Sequence, residues 1–152
     1  MTNLDETVRS FLGASCLALD DEDYPQFLQH CDEGFHYQVK TYSVELGKEM
    51  VWLEHDRKGF ESLLSMIPNH VRMQGRFSRQ VIPSTWVKGS DGIEVTSHLS
   101  MFHTNEDGDT RLLLVGRYID RLTPHEGATP LLTQRVVQLD TRNLGQGVHV
   151  PI

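Results

Sequence analysis

The sequence predicts an α+β fold, with N-terminal helices packed on one face of a curved, mainly antiparallel sheet. Three observations predict it. Apolar residues recur at helical spacing in three stretches, all of them before Pro68. From Phe77 onward the pattern is extended almost throughout. Between Gly92 and Leu122 two extended runs flank Asn105-Glu106-Asp107-Gly108-Asp109, residue types that tolerate the left-handed backbone of a hairpin corner. Helices first and then a long antiparallel meander is an α+β arrangement.

Taken in order, Leu4 to Leu19 places Val8, Phe11, Leu12, Ser15, Cys16 and Leu19 on one side of a helix. Asp20-Asp21-Glu22-Asp23 stops that pattern. Its charges suit the start of a second short helix, Tyr24 to Cys31, with Pro25 near its first turn. After the break at Asp32-Glu33-Gly34, Phe35 to Leu46 alternates as a strand, with Phe35, Tyr37 and Val39 on one side. Gly47 to His55 reads as a connection with no clear period. Asp56 is an N-cap for a helix running to about Ile67, whose Phe60, Leu63, Leu64 and Ile67 make an apolar stripe. Pro68-Asn69 ends it.

Phe77 to Lys88 is a strand in which Pro83 suits an edge or a bulge. Gly89-Ser90-Asp91-Gly92 turns the chain into the long hairpin. If Thr104 pairs with Thr110, Met101 faces Leu113, Leu99 faces Val115 and Val95 faces Ile119. Those six residues and Ile93 then share one wholly apolar face. The other face carries Phe102, Leu112, Leu114 and Tyr118 among Thr96, His98 and Ser100. A half-apolar second face predicts cover, from elsewhere in the chain or from another chain. Thr123 to Pro130 is a polar loop, Leu131 to Asp140 the last strand, and a tail with two glycines ends apolar. Nothing in the pattern marks a repeat or an internal boundary, so residues 1–152 are expected to form one domain.

Composition narrows the partners. The 152 residues are 38% apolar and 23% charged, which suits a globular protein. With 14 basic and 21 acidic residues the net charge is −7, and no basic stripe offers a footprint for nucleic acid or an anionic membrane. No apolar run reaches the ~20 residues of a membrane span. The N-terminal residues lack the layout of a secretion signal. Cys16 and Cys31 do not make a disulfide framework, so a reducing cytoplasm is expected.

No motif assigns catalysis, cofactor binding or metal ligation to this chain. His98 and His103, five apart on a strand, project to opposite faces. His30, Asp32 and His36 form a possible two-histidine, one-carboxylate set, but without diagnostic spacing. A nucleophile elbow and a phosphate loop are both missing. Asp32, His36, Tyr37, His98 and Tyr118 are candidates for acid–base work, each with a simpler packing or capping role. More informative is Met50 to Arg57, where Glu54, Asp56 and Arg57 follow Trp52. These charges either start a helix or, with Trp52, form a docking patch. Arg117, Tyr118 and Arg121 on the hairpin and Arg135 on the last strand are further candidates for a subunit interface. Strand arginines can make forked pairs with carboxylates of another chain.

With these residues in place, the chain resembles the small (β) subunit of Rieske non-haem iron aromatic-ring-hydroxylating dioxygenases over nearly its whole length. The resemblance runs through Leu19-Asp20-Asp21-Glu22-Asp23-Tyr24, Phe35-His36-Tyr37, Leu53-Glu54-His55-Asp56-Arg57 and Arg76 to Val81. It closes on Gly116-Arg117-Tyr118-Ile119-Asp120-Arg121-Leu122 and Arg135-Val136-Val137-Gln138-Leu139-Asp140. It departs at His55, where the family more often has an acid. The resemblance implies a cystatin-like (nuclear-transport-factor-like) cone and assembly with a large α subunit, commonly as three α and three β chains, with the small chains self-associating as a trimer. It implies that the Rieske [2Fe-2S] cluster and the mononuclear iron sit in α, and that a reductase or ferredoxin acts on this chain only indirectly. The Cys-x-His and Cys-x-x-His pairs of a Rieske site are absent here. The role so implied is structural. Two other classes share the fold: a free-standing isomerase or dehydratase, which would need Asp32 or His36 in a closed pocket, and a non-catalytic ligand-binding module.

Overall fold

The three apolar stripes become three helices: α1 (Leu4–Asp20), α2 (Tyr24–Gln29) and α3 (Arg57–Met66). The computed structural model describes residues 4–69, 74–124, 129–145 and 148–152. The middle of the expected loop Thr123 to Pro130 lies outside them. Six strands complete the fold: β1 (Cys31–Ser43), β2 (Lys48–Asp56), β3 (Arg76–Lys88), β4 (Ile93–Thr104), β5 (Thr110–Thr123) and β6 (Leu131–Leu139). They form one sheet in the order β2-β1-β6-β5-β4-β3. Every neighbouring pair is antiparallel except β1 and β6, which run parallel. The expected helix-covered, mainly antiparallel sheet is the one observed.

Each boundary has a local cause. Asp23 caps α2 by accepting from the Gln26 amide, and Pro25 lies in the first turn. Asp56 caps α3 by accepting from the Gly59 amide at 2.8 Å, as its position predicts. At the tip of the β4–β5 hairpin, Asn105 Oδ1 accepts from the amides of Asp107 and Asp109, and Gly108 takes a left-handed φ of 89°. Gly47 to His55, which shows no clear period in the sequence, is largely strand β2. A bulge explains why its alternation is hidden: Val39 faces Leu53 while Lys40 faces Val51, leaving Trp52 as the extra residue.

A second bulge corrects the hairpin register. Thr104 does pair with Thr110, and their hydroxyls lie 2.8 Å apart. Phe102 then faces Leu112 but Met101 faces Leu114, so Leu113 is skipped. Beyond it every β5 side chain sits on the opposite face from the one expected, because strand side chains alternate with period two. Leu99 faces Gly116 and Val95 faces Asp120. The buried face of β5 is therefore Leu114, Tyr118, Asp120 and Leu122 rather than Leu113, Val115 and Ile119. Gly116 sits on that same face, where a Cβ would run into the Gln138 carbonyl oxygen. Further register shifts in β3–β4 and β5–β6 help curve the sheet.

The helices cover the concave face. Phe27, Phe35, Tyr37 and Phe60 join α2, β1 and α3 in an aromatic cluster, with Phe35 and Phe60 edge to face at 5.3 Å. The far end of α1 is fixed to β3 by Asp20–Arg79 and Asp21–Arg76 ion pairs of 2.6 and 2.7 Å. On the convex face Ile82, Val87 and Leu112 are exposed, and Phe102, Leu113, Val115 and Ile119 are half-buried. Among the described residues this chain does not supply the cover that the sequence leads one to expect there.

Candidate functional site

Inside the cone, polar side chains sit where apolar ones would be usual. Asp120 on β5 lies in register with Arg135 on β6, both facing inward. Arg135 donates from Nε to one Asp120 oxygen at 2.8 Å and from Nη2 to the other at 3.0 Å. Neither side chain is exposed at all. The same guanidinium lies 3.8 Å from the Tyr118 ring centroid and 6.0 Å from that of Phe27. Burial pushes the Asp120 carboxyl up, against the pull of Arg135. A guanidinium does not deprotonate in a protein, and both carboxylate oxygens accept from it, so the pair is an ion pair at neutral pH.

Neighbouring groups are committed or neutral. Tyr37 Oη accepts from the Ile152 amide at 3.1 Å and donates to the Ile152 carbonyl at 3.4 Å. Arg79 binds Asp20 and donates to the Pro151 carbonyl, so the segment 148–152 is drawn into the mouth of the cone. Burial raises the pKa of Tyr37, Tyr118 and Cys16, which keeps all three neutral near pH 7. Arg135 Nη1, Arg79 Nε, Tyr118 Oη, Ser97 Oγ and, on β2, His55 Nε2 are buried with no partner among the described residues. The arginine nitrogens are donors only, the Tyr118 and Ser97 hydroxyls are neutral, and the two carboxylates buried among the described residues, Asp20 and Asp120, are each paired with an arginine.

The candidate acid–base residues are not brought together. His36 faces the convex side, 3.5 Å from Glu54, and His98 faces it too, bonded to Ser84. Asp32 accepts from the Gly34 amide in the bend that opens β1. Only Tyr37 and Tyr118 point inward. The His30–Asp32–His36 set is also dispersed, since the His30 ring packs edge-on against Phe11 at 5.7 Å. Among the described residues no group of three His, Cys, Asp or Glu side chains is placed to hold a metal ion. The described residues do not fit a Rieske cluster or a mononuclear iron.

The candidate interface residues divide into three sets. Tyr118 and Arg135 are fully buried and cannot be surface contacts of this chain, which corrects that expectation. The reason is the register: Arg135 meets Asp120 across the strand pair, so its fork is used within the chain. Glu54, Asp56 and Arg57 are exposed or half-buried but engaged locally. Glu54 accepts from Gln38 at 2.7 Å, Asp56 caps α3, and Arg57 binds Glu61 and the Cys31 carbonyl. Trp52, Arg117 and Arg121 remain at the surface, Trp52 with 42% of its area exposed and Arg121 within 3.7 Å of Glu94. The buried Asp120–Arg135 pair went unassigned in the sequence; charges set among Tyr118, Ile119, Leu122, Val136 and Val137 were its only signal.

No model of a protein family matches the chain. It is 33% identical over 147 residues to the β subunit of 2-aminobenzenesulfonate 2,3-dioxygenase from an Alcaligenes species, covering 96% of this chain and 97% of that one. It is 30% identical over 158 residues to the β subunit of the methanesulfonate monooxygenase hydroxylase of Methylosulfonomonas methylovora, covering 97% and 86%. Among solved structures it superimposes, with a TM-score of 0.80, on a protein of Novosphingobium aromaticivorans assigned as the β subunit of an aromatic-ring-hydroxylating dioxygenase. That match covers 96% and 95% of the two chains at 23% identity, a likeness of fold.

Proposed function

This chain belongs to the β-subunit family of ring-hydroxylating oxygenases, and on that premise we propose that it is the non-catalytic partner of a large α subunit in a terminal oxygenase acting on an aromatic compound. The observation that carries the proposal is the end-to-end 33% identity to the 2-aminobenzenesulfonate 2,3-dioxygenase β subunit. A sulfonated arene is accordingly the proposed substrate class for the complex. The interior supports the same division of labour. The carboxylates buried among the described residues, Asp120 and Asp20, are paired with Arg135 and Arg79, and residues 148–152 are drawn into the mouth of the cone. An isomerase or dehydratase would need an unencumbered acceptor there.

In this proposal the Rieske cluster and the mononuclear iron belong to the α subunit, and electrons from a reductase or ferredoxin reach α directly. Three α and three β chains assemble, with the β chains contacting one another as a trimer. The half-apolar convex face, with exposed Ile82, Val87 and Leu112, is the surface such contacts would cover, and Trp52, Arg117 and Arg121 are the remaining candidates to take part. A cytoplasmic setting is part of the reading, supported by two buried cysteines that are not joined. No helix among the described residues is long and apolar enough to cross a membrane.

Reconstitution tests the proposal. The large subunit of the same organism's oxygenase, supplied with its electron-transfer partners, is expected to turn over fully only when this chain is present. The chain alone is expected to be inactive. Hydroxylation or isomerisation by the chain alone would overturn the reading, and so would full activity of the large subunit without it.

A further inference from the structure

A second feature of the cone lies apart from the ion pairs, where β1, β2 and α3 meet the segment 148–152. A cavity of about 240 Å³ opens there, with Val39, Trp52, Leu53, Leu63, Ile67 and Val148 among its walls. We propose that it binds a small, neutral aromatic molecule. The proposal goes beyond the subunit assignment, because the cavity is formed by this chain alone.

Three observations lead to that ligand class. The first is size: an enclosed apolar cavity of roughly 150 Å³ accepts benzene, and this larger one, open at the surface beside Trp52, has room for a substituted single ring. The second is chemistry. No Asp, Glu, Lys or Arg lines the cavity; its polar side chains are Tyr37, whose hydroxyl is taken up by Ile152, and His149. An arene sulfonate or carboxylate would lose its hydration and meet no Lys or Arg, with the His149 imidazole its one basic neighbour, whereas a neutral ring gains the apolar walls without that cost.

The third observation is the build of the wall. Val148, Pro151 and Ile152 are buried, and the Pro151 and Ile152 carbonyls are held by Arg79 and Tyr37. Between these anchors His149 takes a φ of 59°, a left-handed backbone uncommon for a residue with a Cβ. Such strain persists where surrounding contacts enforce it, as they do in ligand clamps. Residues 151 and 152 are thus held by hydrogen bonds and Val148 by burial, and the left-handed turn at His149 lies between them in the cavity wall.

Fluorine NMR on the full chain tests this with 4-fluorotoluene as the neutral probe and 4-fluorobenzenesulfonate as its charged counterpart. Saturable broadening of the fluorotoluene line at millimolar concentration or below is expected, with none for the sulfonate. Leu63→Trp, which fills the cavity from α3, should weaken binding at least tenfold, and Leu63→Phe should do so in part should the larger side chain unfold the protein. Glu106→Gln at the tip of the β4–β5 hairpin should change nothing. Absence of saturable broadening, equal response to the sulfonate, or unchanged binding in both Leu63 variants would each overturn the inference. Loss of binding once the chain is assembled with its large subunit would also overturn it, by showing that a partner side chain is the occupant.

Discussion

Replacing Asp120 by Asn leaves the Arg135 guanidinium buried without its counter-charge. Both side chains have no exposed area, and the pair is closed by hydrogen bonds of 2.8 and 3.0 Å. Breaking one side of such a pair costs about 3–5 kcal/mol. Two features place this case within the range. The Tyr118 face, 3.8 Å away, still offers the cation a partner and favours the lower end. Nη1 is already without a protein acceptor, so little slack remains for the freed donors to find new ones, which favours the upper end. In a chain of this length each kcal/mol moves Tm by about 2–4 °C, so the expected drop is roughly 6–20 °C.

Arg135→Met should behave differently, because a stranded carboxylate can take up a proton and a stranded guanidinium cannot lose one. Without Arg135 the folded pKa of Asp120 lies further above its unfolded value. The folded state then binds the extra proton, so stability is fully present below the unfolded pKa and is lost as pH rises through the folded one. The defect of Arg135→Met should therefore shrink on acidification, while that of Asp120→Asn should not. Replacing both, as Asp120→Leu with Arg135→Met, should return stability to within about 1–2 kcal/mol of the parent. Urea unfolding followed by circular dichroism and tryptophan fluorescence measures all of these. A cost below about 1 kcal/mol for Asp120→Asn, or a double variant as damaged as the two singles summed, would refute the reasoning.

Smaller perturbations follow from single contacts. Asp56→Ala removes the cap of α3 and should cost about 1 kcal/mol by urea unfolding, with Asp56→Asn costing less. Burial pushes the Cys31 thiol up to about 12 and raises Cys16 as well, so at pH 8 neither should react with a thiol reagent until the chain unfolds. Because those folded values are raised, the associated stability is present below about pH 8.5 and is lost as pH climbs from there toward the folded values. The Arg142 hydrogen bond holds the exposed Glu45 carboxyl down to about 2. Carbon-detected NMR titration should show it rising toward the ordinary glutamate range in Arg142→Ala. The stability linked to that pair exists above the unfolded pKa and fades as pH falls toward 2, and solvent screening keeps it slight.

The sequence made the helices legible because their evidence is local. Asp56 ahead of the Phe60–Leu64 stripe, and Pro25 behind a run of acids, are cap and stripe signals that need no knowledge of the rest of the chain. The hairpin corner was legible for the same reason, since Asn105 and Gly108 make their own turn. What failed was register. One skipped residue, Leu113, moved Tyr118 and Asp120 from the expected outer face to the inner one, and a bulge is not written in residue type. Strand β2 was hidden by the same device at Trp52. The Arg135–Asp120 pair depends on which residues of β5 and β6 stand opposite each other, so Arg135 read as a surface fork when it is an internal one. Family membership survived these errors because it rests on the order of many short matches rather than on the direction of any one side chain.

The proposed role is that of a structural component of a mixed oligomer, with no turnover by the chain alone. Native mass spectrometry of the chain co-expressed with the large subunit tests it most directly. The account predicts one mixed species containing both chains in equal number, three of each. A large-subunit oligomer free of this chain, with the chain itself recovered as a monomer, would contradict it.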